Sequence, residues 1–202
     1  MVDISKYNFE DGFTRSVVPL DKKKAKPEKA DQLTQELEDS FLAPPDMVTL
    51  LPGLKLWRFC SQKNKPKFSN CWIDPKTMSQ IMTSFRIGQV YIAEHKKEEI
   101  RNRLAILEAW PTMLGYRVQI ELKKEVIAYI GTIKAQEVFK VVKDKIYFGK
   151  ASTDLALKQP TVEQLAERRK GGLIQIVIPR LKDSQLDQTE NEFGKVTHFC
   201  PI

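Results

Sequence analysis

A single amide lies inside one of the most apolar stretches of the sequence. Residues 173–178 read Leu-Ile-Gln-Ile-Val-Ile, with Gly171 and Gly172 before them and Pro179 after them, a pattern that predicts a buried strand. The carboxamide of Gln175 needs partners for its oxygen and its two N–H donors. Either the core supplies them, or the strand lines a cleft where a ligand does. The two glycines let backbone or ligand approach closely.

A cationic side chain and two aromatic rings are further candidates for ligand binding. Arg58 lies in an alternating, aromatic segment, 54–60, which predicts a strand. Phe68 and Trp72 follow after a short polar stretch. A planar guanidinium binds anions through parallel hydrogen bonds, and flat rings stack on flat ligands. Structural alternatives stay open, with Arg58 on the outer face of a sheet and Trp72 in the core.

The order of these segments resembles the ADP-ribosyltransferase superfold, particularly bacterial toxins of the necrotizing NAD-glycohydrolase type. The resemblance covers roughly residues 51–179. It rests on Arg58 in an early strand, an aromatic residue a short loop later, a hydrophobic stretch that reaches Gly131, and the Gly-Gly-x-x-Gln strand. It implies a toxin or effector that consumes NAD, as a glycohydrolase or as a transferase with a protein acceptor.

The resemblance also implies a role for each motif residue, with Arg58 and Gln175 as the catalytic pair. Arg58 would grip the pyrophosphate of NAD, and Gln175 would contact the nicotinamide ribose. Breaking the nicotinamide–ribose bond builds oxocarbenium character, and hydrogen bonds to the ribose strengthen in that transition state. A neutral amide orients hydroxyls or a water, but it is no general base. No metal is expected. The residues expected to bind the dinucleotide are Arg58, Trp72, Phe68, Gly171 and Gly172.

Charge is unevenly distributed along the chain, whose formal net charge is +7. Residues 1–45 carry seven Lys/Arg against nine Asp/Glu, whereas residues 46–202 carry 26 against 17. A basic body attracts anions such as nucleic acid, phosphorylated small molecules or an acidic partner. A nucleic-acid-binding module is therefore the main alternative function, using the Lys-rich segment 63–67 beside Phe68 and Trp72. A catalytically silent structural or interaction protein is the third.

The first 45 residues are interpreted as a tail, and residues 46–202 as a single domain. A charged linker at 22–29 precedes Leu33, Leu37 and Phe41, whose spacing predicts a short amphipathic helix that ends before two prolines. The helix either docks on the body or engages a secretion or loading partner.

Periodicity in the body changes from helical to alternating after residue 111. Asp74 and Pro75 predict a helix start, and helices followed by a run of strands predict an α+β fold of mainly antiparallel sheets. The resemblance implies that the helices are inserted after the first strand, in an ADP-ribosyltransferase-like split sheet. No membrane span or Sec-type signal is evident, so we expect a cytoplasmic protein, with export by a non-Sec route left open. The three cysteines are interpreted as core residues.

Helices are predicted at 75–88 and 92–108, and strands at 54–60, 116–122, 126–130, 137–142, 145–148, 173–178 and 195–199.

Overall fold

The strands pair in antiparallel fashion throughout the part of the chain described by this computed structural model. Together with a few short helices, this confirms the predicted α+β class at the coarse level. The described residues are 3–21, 25–60, 70–84, 100–104, 114, 116–137, 140–142, 145–148, 151–154, 168–169, 171–181, 190 and 192–201.

The helices are short and the strands carry most of the fold. The helices are α1 (Asp11–Thr14), α2 (Gln35–Glu38) and α3 (Pro75–Ser84), with 3-10 turns at Ser5–Tyr7, Lys29–Asp31 and Pro179–Leu181. The strands are β1 (Val17–Pro19), β2 (Asp46–Leu50), β3 (Lys55–Cys60), β4 (Cys71–Trp72), β5 (Tyr116–Leu122), β6 (Val126–Thr132), β7 (Gln136–Glu137), β8 (Lys140–Val142), β9 (Lys145–Phe148), β10 (Ala151–Asp154), β11 (Arg168–Arg169), β12 (Ile174–Val177) and β13 (Gly194–Pro201).

Two sheets enclose the main core. One has the order β1-β2-β6-β12-β4 and the other β13-β5-β3, while β10-β9-β8 and β11-β7 form smaller sheets. Alternation along β3 and β5 turns Leu56 and Ile120 into the same buried cluster as Ile130 and Ile176 of the larger sheet. The two sheets therefore bury one face each against a shared apolar layer.

A short bridge connects the two main sheets. The N–H of Trp57 in β3 donates to the carbonyl of Ile73, and the N–H of Ile73 donates back to Trp57, both at 2.8 Å. Ile73 directly follows β4, so the bridge brings β3 alongside β4. The sheets thus meet at the strands that carry the sequence motifs.

Helix α3 begins at the residue that the sequence indicated. The Asp74 carboxylate accepts hydrogen bonds from the N–H groups of Lys76 and Thr77, at 2.9 and 3.1 Å, and from the Thr77 hydroxyl. These bonds satisfy donors that a helix start leaves unpaired. Met78 and Ile81 of α3 enter a second buried cluster, called here the α3 cluster, with Phe59 and Ile73. The predicted end of this helix, near Gly88, lies outside the described residues.

The N-terminal residues are part of the folded body, which differs from the expected exposed tail. Tyr7, Phe13 and Val17 are buried in the main core, and β1 forms an edge of the five-stranded sheet. The Tyr7 hydroxyl lies 2.5 Å from Oδ2 of Asp46 and 2.8 Å from the carbonyl oxygen of Ile130. These hydrophobic residues follow no single period, so periodicity alone could not detect them.

Residues 33–41 dock on the outer face of the five-stranded sheet. Residues 33–41 are called here the N-terminal cover. Their side chains Leu33, Leu37 and Phe41 pack with Met47 and Val177 of the sheet in a third cluster. Of the two alternatives for the predicted amphipathic helix, docking on the body is the one observed. Only Gln35–Glu38 are α-helical, so the helix is shorter than the spacing of Leu33, Leu37 and Phe41 predicted.

Four other features bear on the sequence predictions. The basic cluster at residues 168–170 is most simply predicted to be a solvated helix end, and this prediction is wrong for Arg168 and Arg169, which form β11 and pair with β7. Strand β6 runs through Gly131, where the sequence predicted an interruption. None of the three cysteines forms a disulfide, and only Cys60 is fully buried. Among the described residues, no helix has both the length and the apolar character needed to cross a bilayer.

Candidate functional site

The three strands that carry the predicted motifs are neighbours. Strand β12 pairs with β4, placing Ile176 opposite Trp72, and the Trp57–Ile73 bridge aligns β3 on the other side of β4. Arg58 and Gln175 are separated by more than one hundred residues of sequence, yet only the short strand β4 lies between their strands. Folding therefore brings the motif segments together.

One face of this three-strand unit carries Arg58. The register places Arg58, Trp72 and Ile176 level with each other on the side of the main core. The Arg58 guanidinium carbon lies 5.7 Å from the centroid of the Trp72 ring, a cation–π contact. Because Trp72 is only 1% exposed, its indole has no open face for a ligand.

Burial dominates the electrostatics of Arg58. The residue is half-buried by exposed area, and loss of hydration lowers the pKa of its guanidinium, an effect opposed by Cys60 and Cys71. Burial in turn raises the pKa of the Cys71 thiol to about 11, opposed by the charge of Arg58. In this environment Arg58 packs as a stacked, interior-facing cation, which favours a structural role.

The opposite face carries Gln175. There the register places Trp57, Ile73 and Gln175 level across the three strands. Arg58 and Gln175 therefore leave their strands on opposite faces, so the expected shared cleft is not formed by these two side chains. The physical reason is the period of two along a strand: Trp57, the neighbour of Arg58, faces the side of Gln175.

The Gln175 carboxamide is half-buried and lacks a partner in the described part of the chain. No hydrogen bond joins its oxygen or nitrogen to another described residue, so a core partner, the first of the two sequence alternatives, is not observed. Gln175 pairs with Gly131, and Phe41 fills the space above that glycine. Leu173, two residues before Gln175 and on the same face of the sheet, packs on the α3 cluster. Gln175 thus lies at the seam between the N-terminal cover and the α3 cluster.

The two glycines before β12 differ in their surroundings. Gly171 has φ +63°, and a Cβ there would lie 2.7 Å from the carbonyl oxygens of Ile133 and Lys134. Gly172 has φ +88°, and a Cβ there would meet nothing within 4 Å. Close backbone approach thus explains Gly171, whereas Gly172 borders open space.

The outer face also contains a group that the sequence reasoning missed. The Arg117 guanidinium carbon lies 5.7 Å from the ring centroid of Trp57, and the exposed His198 ring meets the same indole edge-on at 5.5 Å. Arg117 Nε donates to Cys200 Sγ at 2.9 Å, and no other described residue accepts a hydrogen bond from this guanidinium. The sequence pattern that could have revealed this group is the strict alternation along β3 and β5, which turns Trp57 and Arg117 to the same face.

Phe68 and the lysines of 63–67 lie outside the described residues. Within the described residues, no cluster of three or more His, Cys, Asp or Glu side chains is arranged to hold a metal ion. No protein-family model, curated protein or solved structure matches this chain.

Proposed function

We propose that this protein consumes NAD by cleaving the bond between nicotinamide and ribose, on the outer face of the β3–β4–β12 unit. The observation that carries the proposal is the Gln175 carboxamide, half-buried and without a described partner, level with the half-buried indole of Trp57. An amide at such a seam is suited to the hydroxyls of a ribose.

The chemistry needs little from the protein beyond position. The bond from nicotinamide nitrogen to ribose C1′ breaks, its electron pair leaves with neutral nicotinamide, and water adds to C1′ with loss of a proton. Gln175 hydrogen-bonds the ribose, where such bonds strengthen as positive charge develops. The part of the Trp57 ring that stays exposed beside Arg117 would stack on a flat group, and Arg117 offers N–H donors for phosphate.

An ADP-ribosyltransferase-like split sheet is part of the same proposal. Its support is the division into a five-stranded and a three-stranded sheet joined at one bridge, beside the motif strands. A toxin or effector role follows from the resemblance. A loading partner would engage the exposed side of residues 1–45, where Leu42 is 72% exposed.

Nicotinamide release by the purified protein tests the proposal. A glycohydrolase releases nicotinamide and free ADP-ribose without an acceptor, whereas a transferase labels a protein when labelled NAD is added to a lysate. If NAD stays intact with the purified protein at every pH tested, and no protein in the lysate is labelled, the proposal fails.

Single-stranded nucleic acid is the second candidate ligand, favoured by the Arg117–Trp57–His198 group. Base stacking on aromatic rings beside cations is how single strands bind without sequence preference. Oligonucleotide affinity should then fall steeply with salt, and Arg117→Gln should reduce that salt slope by about 0.7. Lys124→Gln, in an exposed turn where Lys124 pairs with Glu192, is the matched control. No retention of oligonucleotides at low salt would exclude this function.

A further inference from the structure

A cavity of about 270 Å³ lies between the N-terminal cover and the five-stranded sheet, on the sheet face that carries Gln175, and its lining residue Tyr129 is two residues along β6 from Gly131, the register partner of Gln175. Its volume corresponds to roughly nine waters. The buried floor comes from Met47 and Tyr129, and Glu38 stands at the wall. The remaining lining is apolar: Ala25, Pro27, Leu33 and Pro45.

Two carboxylates lie close enough to this cavity to act on the Tyr129 hydroxyl. Burial raises the pKa of the Tyr129 hydroxyl, and the charges of Asp31 and Glu38 raise it further. Asp31 is neutralised by Arg180, whose Nε and Nη2 lie 2.7 and 2.5 Å from its carboxylate oxygens. Glu38 is exposed, and no ion pair joins it to another described residue. Among the described residues, the cavity therefore offers one carboxylate without an ion pair, beside an aromatic ring and apolar walls.

We propose that this cavity binds a small aliphatic ammonium ion. The charged nitrogen would lie between the Glu38 carboxylate and the face of Tyr129, and the alkyl part would contact Met47, Leu33 and the two prolines. Carboxylate pairing and the negative face of a tyrosine ring both favour a cation, and the apolar walls favour an alkyl chain over a hydrated metal ion. Neutral alcohols of the same shape would lack both charge interactions.

The Met47 methyl group is a reporter on the cavity floor. With the five methionines carrying ¹³C-methyl labels, the full chain is titrated separately with butylammonium, tetramethylammonium and butanol. The Met47 signal is assigned by Met47→Leu, and Met78, buried in the α3 cluster, is the internal reference. We expect saturable shifts of the Met47 signal with the two cations, none with butanol, and no change at Met78.

Glu38→Gln tests the contribution of the carboxylate charge, because it removes that charge and keeps a side chain of similar size. Because Glu38 is exposed, this substitution should leave the fold intact and weaken butylammonium binding about fivefold, while Glu36→Gln on the same helix should leave binding unchanged. The proposal is overturned if the Met47 shift does not saturate with either cation, if butanol shifts it equally, or if Glu38→Gln binds as tightly as the wild type. None of these outcomes depends on NAD chemistry.

Discussion

Trp57 and Gln175 lie level with each other on one face of the junction between the two main sheets, with Ile73 between them. Two strand spacings separate them, about 10 Å. Ile73 is buried in the α3 cluster, and Trp57 packs against the same cluster. Arg58 lies beyond this face, stacked on Trp72 in the core.

Arg58→Lys tests the structural role of this arginine. Lysine keeps the positive charge but loses the planar group that stacks on Trp72, so the free energy of unfolding should fall by about 1 kcal/mol. Urea denaturation measures the change, with Arg15→Lys at an exposed position as the control. Unchanged stability together with weaker NAD binding would instead assign Arg58 to the dinucleotide.

The glycine pair before β12 gives a matched comparison. Gly172→Ala should cost about 1 kcal/mol, because its positive φ disfavours any side chain while the space around it is open. Gly171→Ala carries the same backbone penalty plus contacts at 2.7 Å with two carbonyl oxygens, and should cost roughly 1–3 kcal/mol more. Equal losses in urea denaturation would contradict the close backbone approach at Gly171.

The contact between Phe41 and Gly131 tests the docking of the N-terminal cover. A Cβ at Gly131 would lie 2.5 Å from the Phe41 ring, so Gly131→Ala should destabilise by about 1–3 kcal/mol. The loss should shrink in a Phe41→Leu background, because the two substitutions are coupled through one contact. Gly12→Ala, which meets nothing within 4 Å, is the control. Additive losses would mean that Phe41 does not pack on this glycine.

Alkaline pH should destabilise the fold through groups that the native state keeps protonated. Burial raises the pKa of Cys71 from 9.0 to about 11, and burial together with Asp46 raises the pKa of Tyr7 above its ordinary 10.0. A raised pKa in the folded state means that stability is complete below the unfolded value and falls as pH rises through the folded one. The free energy of unfolding should therefore begin to decrease as pH rises above about 9.

Two variants separate these contributions to the alkaline loss. Cys71→Ala should flatten the decrease between pH 9.0 and about 11, and Tyr7→Phe should flatten the part above 10.0. The slopes against pH are compared, since each variant also changes packing. A wild-type stability that stays level to pH 11 would refute the assignment.

Local patterns predicted much of the local structure. Alternation located β3 and β5, an aspartate before a proline located the start of α3, and the Gly-Gly strand is β12. Alternation also implied opposite faces for Trp57 and Arg58. The sequence could not show which face would be covered, because the cover comes from residues 33–41 and from α3, distant along the chain.

Sequence reasoning was weakest where packing is irregular and long-range. Tyr7, Phe9 and Phe13 bury their rings in the main core, and the spacing between them changes from two residues to four, so no one period runs through all three. The cavity beside Tyr129 is built by residues 25–45 docking on β2 and β6. Both features depend on contacts between segments that are distant in the sequence, and local patterns do not determine such contacts.

Nicotinamide release by Gln175→Ala, compared with the wild type and with Gln80→Ala, tests the central claim most directly. Gln80 is an exposed amide on α3 and serves as the matched control. We expect the wild type and Gln80→Ala to release nicotinamide at equal rates, and Gln175→Ala to be slower by about 100-fold, the usual cost of removing one hydrogen-bonding group from a transition state. A Gln175→Ala variant as active as the wild type, or a wild type that releases no nicotinamide, would contradict the account.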